Sequence, residues 1–254
     1  MQPIPTGSFV WHDLVTPRTQ DAAAFYSELA HWDVRPWEHD EADYTLFALD
    51  DELLGGAGSP RAAHDAAPHW VPYVYVYDVD ACLRQAAKLG GRTRRGPVEV
   101  PNVGCWALIA DPLGAEIGMF EPSALPPHQS AAPRAGEFSW HELNTVDYAV
   151  AFEFYKPLFQ WERIAEHDMG AMGTYFMFGQ RGRTYGGMFN GIRAGETPSW
   201  LSYVRVDDVR AAVQVAERLG GKIKRGPMEV PGGDWVAQVE DPLGASFALH
   251  APRA

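Results

Sequence analysis

The chain has 254 residues, 46% hydrophobic and 21% charged, a globular balance with enough apolar material for a core in each of two domains. A formal net charge of −12 and a pI near 5.1 leave no basic stripe for phosphate contacts, which argues against nucleic acid as a partner. No run approaches the ~18 apolar residues of a membrane span, and Met1–Thr6 has no charged segment ahead of an apolar stretch, so a cytoplasmic protein with no membrane partner is expected. Cys82 and Cys105 are too few for a disulfide framework and are expected to be reduced thiols used as small apolar residues.

The predicted elements come in a repeated order. Residues 8–15 read as a strand, and Asp21–Leu29 as a helix with Ala22, Phe25, Tyr26 and Leu29 on one face and Thr16 or Thr19 as its cap. Short strands follow near 33–39, 43–50 and 53–59, with Gly55-Gly56-Ala57-Gly58 expected to turn the chain between strands. A strand over Val71–Tyr77 then leads into a helix over Val79–Leu89, capped by Asp78 and stopped by Gly90-Gly91, and three more strands close the half. The last two are joined by Asp111-Pro112-Leu113-Gly114-Ala115, a tight turn in which Pro sets φ and Gly supplies a left-handed position.

The second half repeats the first. Trp11-His12-Asp13-Leu14 returns as Trp140-His141-Glu142-Leu143 and Phe25-Tyr26 as Phe154-Tyr155, both 129 residues on (140 − 11 = 154 − 25). The Asp-Pro-Leu-Gly-Ala turn returns at Asp241–Ala245, 130 residues on (241 − 111), and Arg95-Gly96-Pro97 returns as Arg225-Gly226-Pro227 at the same spacing (225 − 95). Asp208 and Gly220-Gly221 again bracket a helix, whereas Pro157, which lacks the N–H a helix interior needs, is expected to end or kink the helix that carries Phe154-Tyr155. Each half therefore reads βαβββ twice, an α+β pattern of four βαβββ units. The division expected is 1–121 and 137–254, joined by a Pro/Ala-rich linker over 122–136.

Strand alternation assigns faces. In Tyr73-Val74-Tyr75-Val76 and Tyr203-Val204-Arg205-Val206 the valines belong under the helices, so Tyr73, Tyr75, Tyr203 and Arg205 are expected on the opposite, concave face.

A half that opens with a strand and a Phe-Tyr helix and closes with Asp-Pro-x-Gly and an apolar strand resembles the vicinal oxygen chelate superfamily, which includes glyoxalase I, extradiol dioxygenases and bleomycin-resistance proteins. The resemblance implies tandem glyoxalase-like modules whose curled mixed sheets surround clefts. It also implies metal-ligand positions, and here these hold Trp11, Val71 and Gly118 in one half and Trp140, Leu201 and Ala248 in the other. None of these side chains donates to zinc or iron, so no metal cofactor is expected. Period two then places Asp13 with Trp11, and Glu142 with Trp140, on the ligand face, and turns His12 and His141 to the other side. His69 lies near Val71, but the place corresponding to it in the second half is Ser199.

The expected function is binding of a small apolar or aromatic molecule, either to sequester it or to act on it by acid–base chemistry. The expected ligand-binding set is Trp11, Asp13, Tyr73, Tyr75, Trp140, Glu142, Tyr203 and Arg205, with Asp13 and Glu142 the catalytic candidates and Arg205 the pairing candidate for Glu142. The alternative is a metal-dependent lyase or dioxygenase that uses His12, His141, Asp13 and Glu142 after a register shift. Whether the chain is an enzyme stays open on these residues, and a monomer or homodimer is expected because one chain carries both modules.

Overall fold

A computed structural model describes residues 4–37, 44–58, 67–124, 132–192 and 196–253. The order of elements is β1 (Phe9–Val15), α1 (Thr19–Ala30), β2 (Asp33–Pro36), β3 (Tyr44–Leu49), β4 (Glu52–Gly58), β5 (His69–Tyr75), α2 (Val79–Lys88), β6 (Arg92–Val100), β7 (Gly104–Ala110) and β8 (Glu116–Pro122). The second half follows with β9 (Phe138–Asn144), α3 (Tyr148–Phe159), β10 (Glu162–Asp168), β11 (Thr174–Gln180), β12 (Arg183–Phe189), β13 (Ser199–Arg205), α4 (Val209–Arg218), β14 (Lys222–Glu229), β15 (Trp235–Glu240) and β16 (Ser246–Ala251). This is the α+β pattern of four βαβββ units read from the sequence. Part of the linker, residues 125–131, and the tip of the strand expected to reach 39 fall outside the described residues.

Two eight-stranded mixed sheets form, in the orders β2-β3-β4-β1-β5-β8-β7-β6 and β10-β11-β12-β9-β13-β16-β15-β14. The β1–β4, β5–β8, β9–β12 and β13–β16 pairs are parallel, and the β3–β4, β7–β8, β11–β12 and β15–β16 pairs are antiparallel.

The chain packs as two compact units, each discontinuous in sequence: residues 1–11, 72–130 and 140–200 form one, and residues 12–71, 131–139 and 201–254 the other. The core of the first unit joins Val74 of β5 and Val76 just after it, Val79 and Ala86 of α2, and Ile109, Ile117 and Met119 to Phe152, Tyr155 and Phe159 of α3. In the second, Ala22, Phe25, Tyr26 and Leu29 of α1 pack with Val204, Val206, Val209, Val213, Val239 and Phe247. Val74, Val76, Val204 and Val206 thus lie beneath helices, as strand alternation requires.

Local signals set the helix ends. The carboxylates of Asp78, Asp147 and Asp208 cap α2, α3 and α4, accepting from Ala81, from Ala149 and Val150, and from Arg210 and Ala211 respectively. α1 departs from expectation: neither Thr16 nor Thr19 caps it, because the Thr16 hydroxyl accepts from the Arg18 N–H one position too early. Pro157 does not end α3 either. The helix runs on to Phe159, since Leu158 and Phe159 are buried and their packing outweighs the one backbone bond that Pro withholds near the C-terminus. Gly55-Gly56-Ala57-Gly58 is a third correction, for it is strand and not turn. Its bareness admits neighbours, with the His12 carbonyl against Gly55 and the Tyr44 ring against Gly56.

Candidate functional site

The two motifs that announce the repeat meet in each unit, one from each half of the chain. In the first unit the Tyr155 hydroxyl donates to Asp111 Oδ2 at 2.9 Å and accepts from Trp200 Nε1 at 3.3 Å. In the second the Tyr26 hydroxyl donates to Asp241 Oδ2 at 2.9 Å and accepts from Trp70 Nε1, also at 2.9 Å. The other oxygen of Asp111 gathers the N–H groups of Leu113, Gly114 and Ala115, and that of Asp241 those of Leu243 and Ala245. Burial pushes both phenols well above their usual range, with the neighbouring carboxylate adding to the effect. Burial also lifts both aspartates above the ordinary carboxylate range, against the pull of the hydrogen bonds they accept. These relays are wholly internal and hold the Asp-Pro-Leu-Gly turns to the helices.

His12 and His141 are buried as well. The His141 ring stacks on Phe9 at 3.6 Å and 7°, and the His12 ring on Phe138 at 3.5 Å and 15°. Burial holds the His141 imidazole down at about 3, so it is neutral at physiological pH. Both histidines are packing groups.

The candidate site lies on the other side of the strands, where each half pairs a carboxylate with a phenol. In the first unit Trp140 Nε1 donates to the Tyr175 hydroxyl at 2.9 Å, and that hydroxyl donates to Glu142 Oε2 at 3.0 Å. Glu142 is buried while Trp140 and Tyr175 are half-buried. In the second unit the Tyr44 hydroxyl donates to Asp13, and the Trp37 ring stands edge-on to Tyr44 at 5.6 Å. Both tyrosines reach these carboxylates by lying across a bare glycine, Tyr175 over Gly187 and Tyr44 over Gly56. Sequence reasoning named the carboxylates and missed their phenols. The signal was present, since Tyr44 and Tyr175 stand at matching places in the repeat (175 − 44 = 131), as do Gly56 and Gly187.

The remaining expected residues are placed as follows. Trp11 is half-buried on β1. Tyr73, Tyr75 and Tyr203 are buried, and the Tyr73 ring meets Trp106 edge-on at 6.1 Å. Arg205 gives a guanidinium N–H to the Pro133 carbonyl, and its Nε is buried with no partner among the described residues. The pairing expected between Glu142 and Arg205 is replaced by Tyr175 for the one and Pro133 for the other. Cys82 and Cys105 are free, and burial pushes both thiols up to about 11, as suits inert packing groups.

The metal implied by the resemblance does not fit these residues. Val71 is a buried apolar side chain, and Gly118 is in register with Tyr73, whose ring leaves no room there for even a Cβ. A glutamate arm cannot extend from that position without displacing the ring. Among the described residues no three His, Cys, Asp or Glu side chains gather closely enough to hold an ion.

This architecture of tandem βαβββ units defines the class as a two-module protein of the vicinal oxygen chelate fold. Residues 137–249 match the Glyoxalase/Bleomycin resistance protein/Dioxygenase superfamily. It is 27% identical over 248 residues to CFP32 of Mycobacterium bovis, whose name carries the word glyoxylase, covering 95% of this chain and 94% of that one. It is also 27% identical to the anthracycline biosynthesis protein DnrV of Streptomyces peucetius, covering 96% of this chain and 92% of the other. The Mn(II)-bound glyoxalase of Novosphingobium aromaticivorans shares the fold with a TM-score of 0.67 at 12% identity, over 98% of this chain and 83% of that one. No helix among the described residues is long and apolar enough to cross a membrane.

Proposed function

We propose that the protein binds a small planar aromatic molecule without a metal ion, and that Glu142 serves as the polar anchor and general base for it. The observation that carries this reading is the Trp140–Tyr175–Glu142 chain. It presents two half-buried aromatic rings beside a buried carboxylate whose orientation the Tyr175 hydroxyl fixes. Aromatic walls with a few fixed polar groups suit a flat apolar ligand. A carboxylate held away from water and oriented by a phenol is suited to meet a ligand hydroxyl or an acidic C–H. Asp13 with Tyr44 is a second pair of the same kind. The name of DnrV supports a polycyclic phenolic ligand class, and the donor-poor positions Trp140, Leu201 and Ala248 favour metal-free binding over the lyase or dioxygenase chemistry known in the superfamily. Trp11, Tyr73, Tyr75, Tyr203 and Arg205 belong to the proposed ligand-binding set in a supporting capacity.

The test is a titration with an anthracycline, read by quenching of tryptophan fluorescence in the presence and absence of a chelator. Binding is expected to be indifferent to the chelator. Glu142→Gln and Tyr175→Phe should each weaken it about tenfold, the worth of one buried hydrogen bond of ~1.4 kcal/mol. Equal binding by wild type and both variants, or loss of binding on chelation, would remove the proposal.

A further inference from the structure

Beyond the carboxylate–phenol pairs, the second unit holds three side chains in a relay. Ser139 Oγ lies 2.9 Å from His250 Nδ1, and His250 Nε2 lies 3.1 Å from Asp234 Oδ2. The only tautomer that satisfies both contacts keeps the proton on Nε2, which donates to Asp234, and leaves the Nδ1 lone pair facing the serine hydroxyl. Ser139 and Asp234 are also tied to the backbone. The serine hydroxyl lies 3.4 Å from the Tyr203 carbonyl, and Asp234 Oδ1 accepts the Arg253 N–H at 2.9 Å. Burial pulls the Asp234 carboxyl upward, but the Arg253 N–H and the His250 ring together outweigh it and keep Asp234 below the usual carboxylate range, hence ionised. None of the three is fully buried, and the His250 and Asp234 side chains are 18% and 41% exposed.

Comparison with the other half separates this cluster from the scaffold. The matching positions are Val10 (139 − 129), Phe120 (250 − 130) and Gly104 (234 − 130), and β7 and β8 keep the same register there, with Trp106 opposite Phe120 where Val236 is opposite His250. The same sheet therefore forms without any of the three polar groups. Arg205 is the in-register neighbour of His250, which puts a guanidinium on the same face of the sheet, with its buried Nε partnerless among the described residues.

We propose that Ser139, His250 and Asp234 form a nucleophilic relay that takes the acyl group of a small carboxylic ester. In the first step Ser139 Oγ bonds to the ester carbonyl carbon while its proton passes to His250 Nδ1. Asp234 steadies the resulting imidazolium through Nε2, and Arg205 supplies positive charge for the carbonyl oxygen. The carbon–oxygen bond to the alcohol then breaks, and the alcohol departs with the proton from Nδ1. Water attacks the acyl-serine, gives a proton to Nδ1, and the acid is released as that proton returns to Oγ. The balance needs only ester and water. Relative to the familiar serine–histidine–aspartate arrangement the two ring nitrogens exchange partners, which leaves the roles intact because one accepts and the other donates.

The experiment treats the full-length protein with an alkyl fluorophosphonate, which phosphonylates activated serines, and locates the adduct by peptide mass spectrometry, with p-nitrophenyl acetate hydrolysis measured in parallel. Wild type should be labelled at Ser139. Ser139→Ala should abolish the adduct and the esterase rate, and His250→Phe, the residue found at the matching place, should lower both by about 100-fold or more. Asp234→Asn serves if His250→Phe fails to fold by circular dichroism, and it should lower both rates in the same direction. An unlabelled Ser139 in folded wild type overturns the proposal, and so does labelling that a folded His250→Phe or Asp234→Asn variant leaves unchanged.

Discussion

The helix side of the strands and their opposite face differ in how closely the two halves of the chain repeat there. On the helix side the polar relays and ring stacks repeat: Trp70–Tyr26–Asp241 returns as Trp200–Tyr155–Asp111, and the Phe138–His12 stack returns as Phe9–His141. On the opposite face Trp11, Tyr44 and Tyr73 return as Trp140, Tyr175 and Tyr203, but other places differ, with Asp13 against Glu142, Gly118 against Ala248, and Phe120 against His250. A buried polar group without its partner costs about 1–3 kcal/mol, so one half cannot drift on the helix side unless its counterpart drifts with it. The Gly118/Ala248 and Phe120/His250 places on the opposite face carry no such joint constraint between the halves. What differs there is available for chemistry, and what matches beneath the helices is scaffold.

The largest expected effect tests whether the stacked histidines are scaffold. His141 has its folded value at about 3 against 6.5 when unfolded, so between those limits the unfolded chain binds a proton that the folded chain does not. Stability is therefore complete above pH 6.5 and falls as the pH drops through that window, by about 1.4 kcal/mol per unit. Denaturant unfolding of wild type and His141→Phe from about pH 7 to about pH 4 measures it. The variant should lack this component of the slope. Parallel curves would mean that His141 is not held neutral in the core.

The paired relays come next. Asp111→Ala strands the N–H groups of three turn residues and the Tyr155 hydroxyl, and Asp241→Ala does the same to its own turn and Tyr26. Each should cost about 3 kcal/mol, and the two values should agree to within about 1 kcal/mol if the helix side is truly duplicated. Equilibrium unfolding in urea decides it, and a twofold disparity would break the comparison.

Much of this arrangement is legible in the chain itself. The 129- to 131-residue offsets locate both turns and both Phe-Tyr helices, and alternation places Val74, Val76, Val204 and Val206 under helices. What the sequence does not show is which copy meets which. Tyr155 would satisfy Asp241 as well as Asp111 by residue type, so identical motifs are degenerate as to partner, and only packing resolves them. The glycines of β4 mislead for a related reason: locally they read as a turn, whereas the Tyr44 ring and the His12 carbonyl that require them come from distant strands. The Ser139–His250–Asp234 relay escapes a linear reading because its members are 111 and 16 residues apart. The readable clue is negative, namely three places where the second half departs from the first.

The smallest expected effect concerns the position where that departure is slightest, a single methyl group. Gly118 and Ala248 are register partners of Tyr73 and Tyr203, so the second half already holds a Cβ where the first half holds a ring. Gly118→Ala should cost about 2 kcal/mol, because Tyr73 is buried and the atoms in the way belong to the near part of its ring, which cannot simply swing aside. Ala248→Gly should cost only about 1 kcal/mol, the loss of a small buried side chain and some backbone entropy. Combining Gly118→Ala with Tyr73→Ala should cost clearly less than the sum of the two single changes, since the clash vanishes with the ring. Additive values would show that the ring is free to move, and would reopen the Gly118 position to a metal-binding carboxylate. Non-additive ones tie that position to the aromatic packing of Tyr73 and Trp106, so that Gly118→Glu would unseat the ring without creating a metal centre.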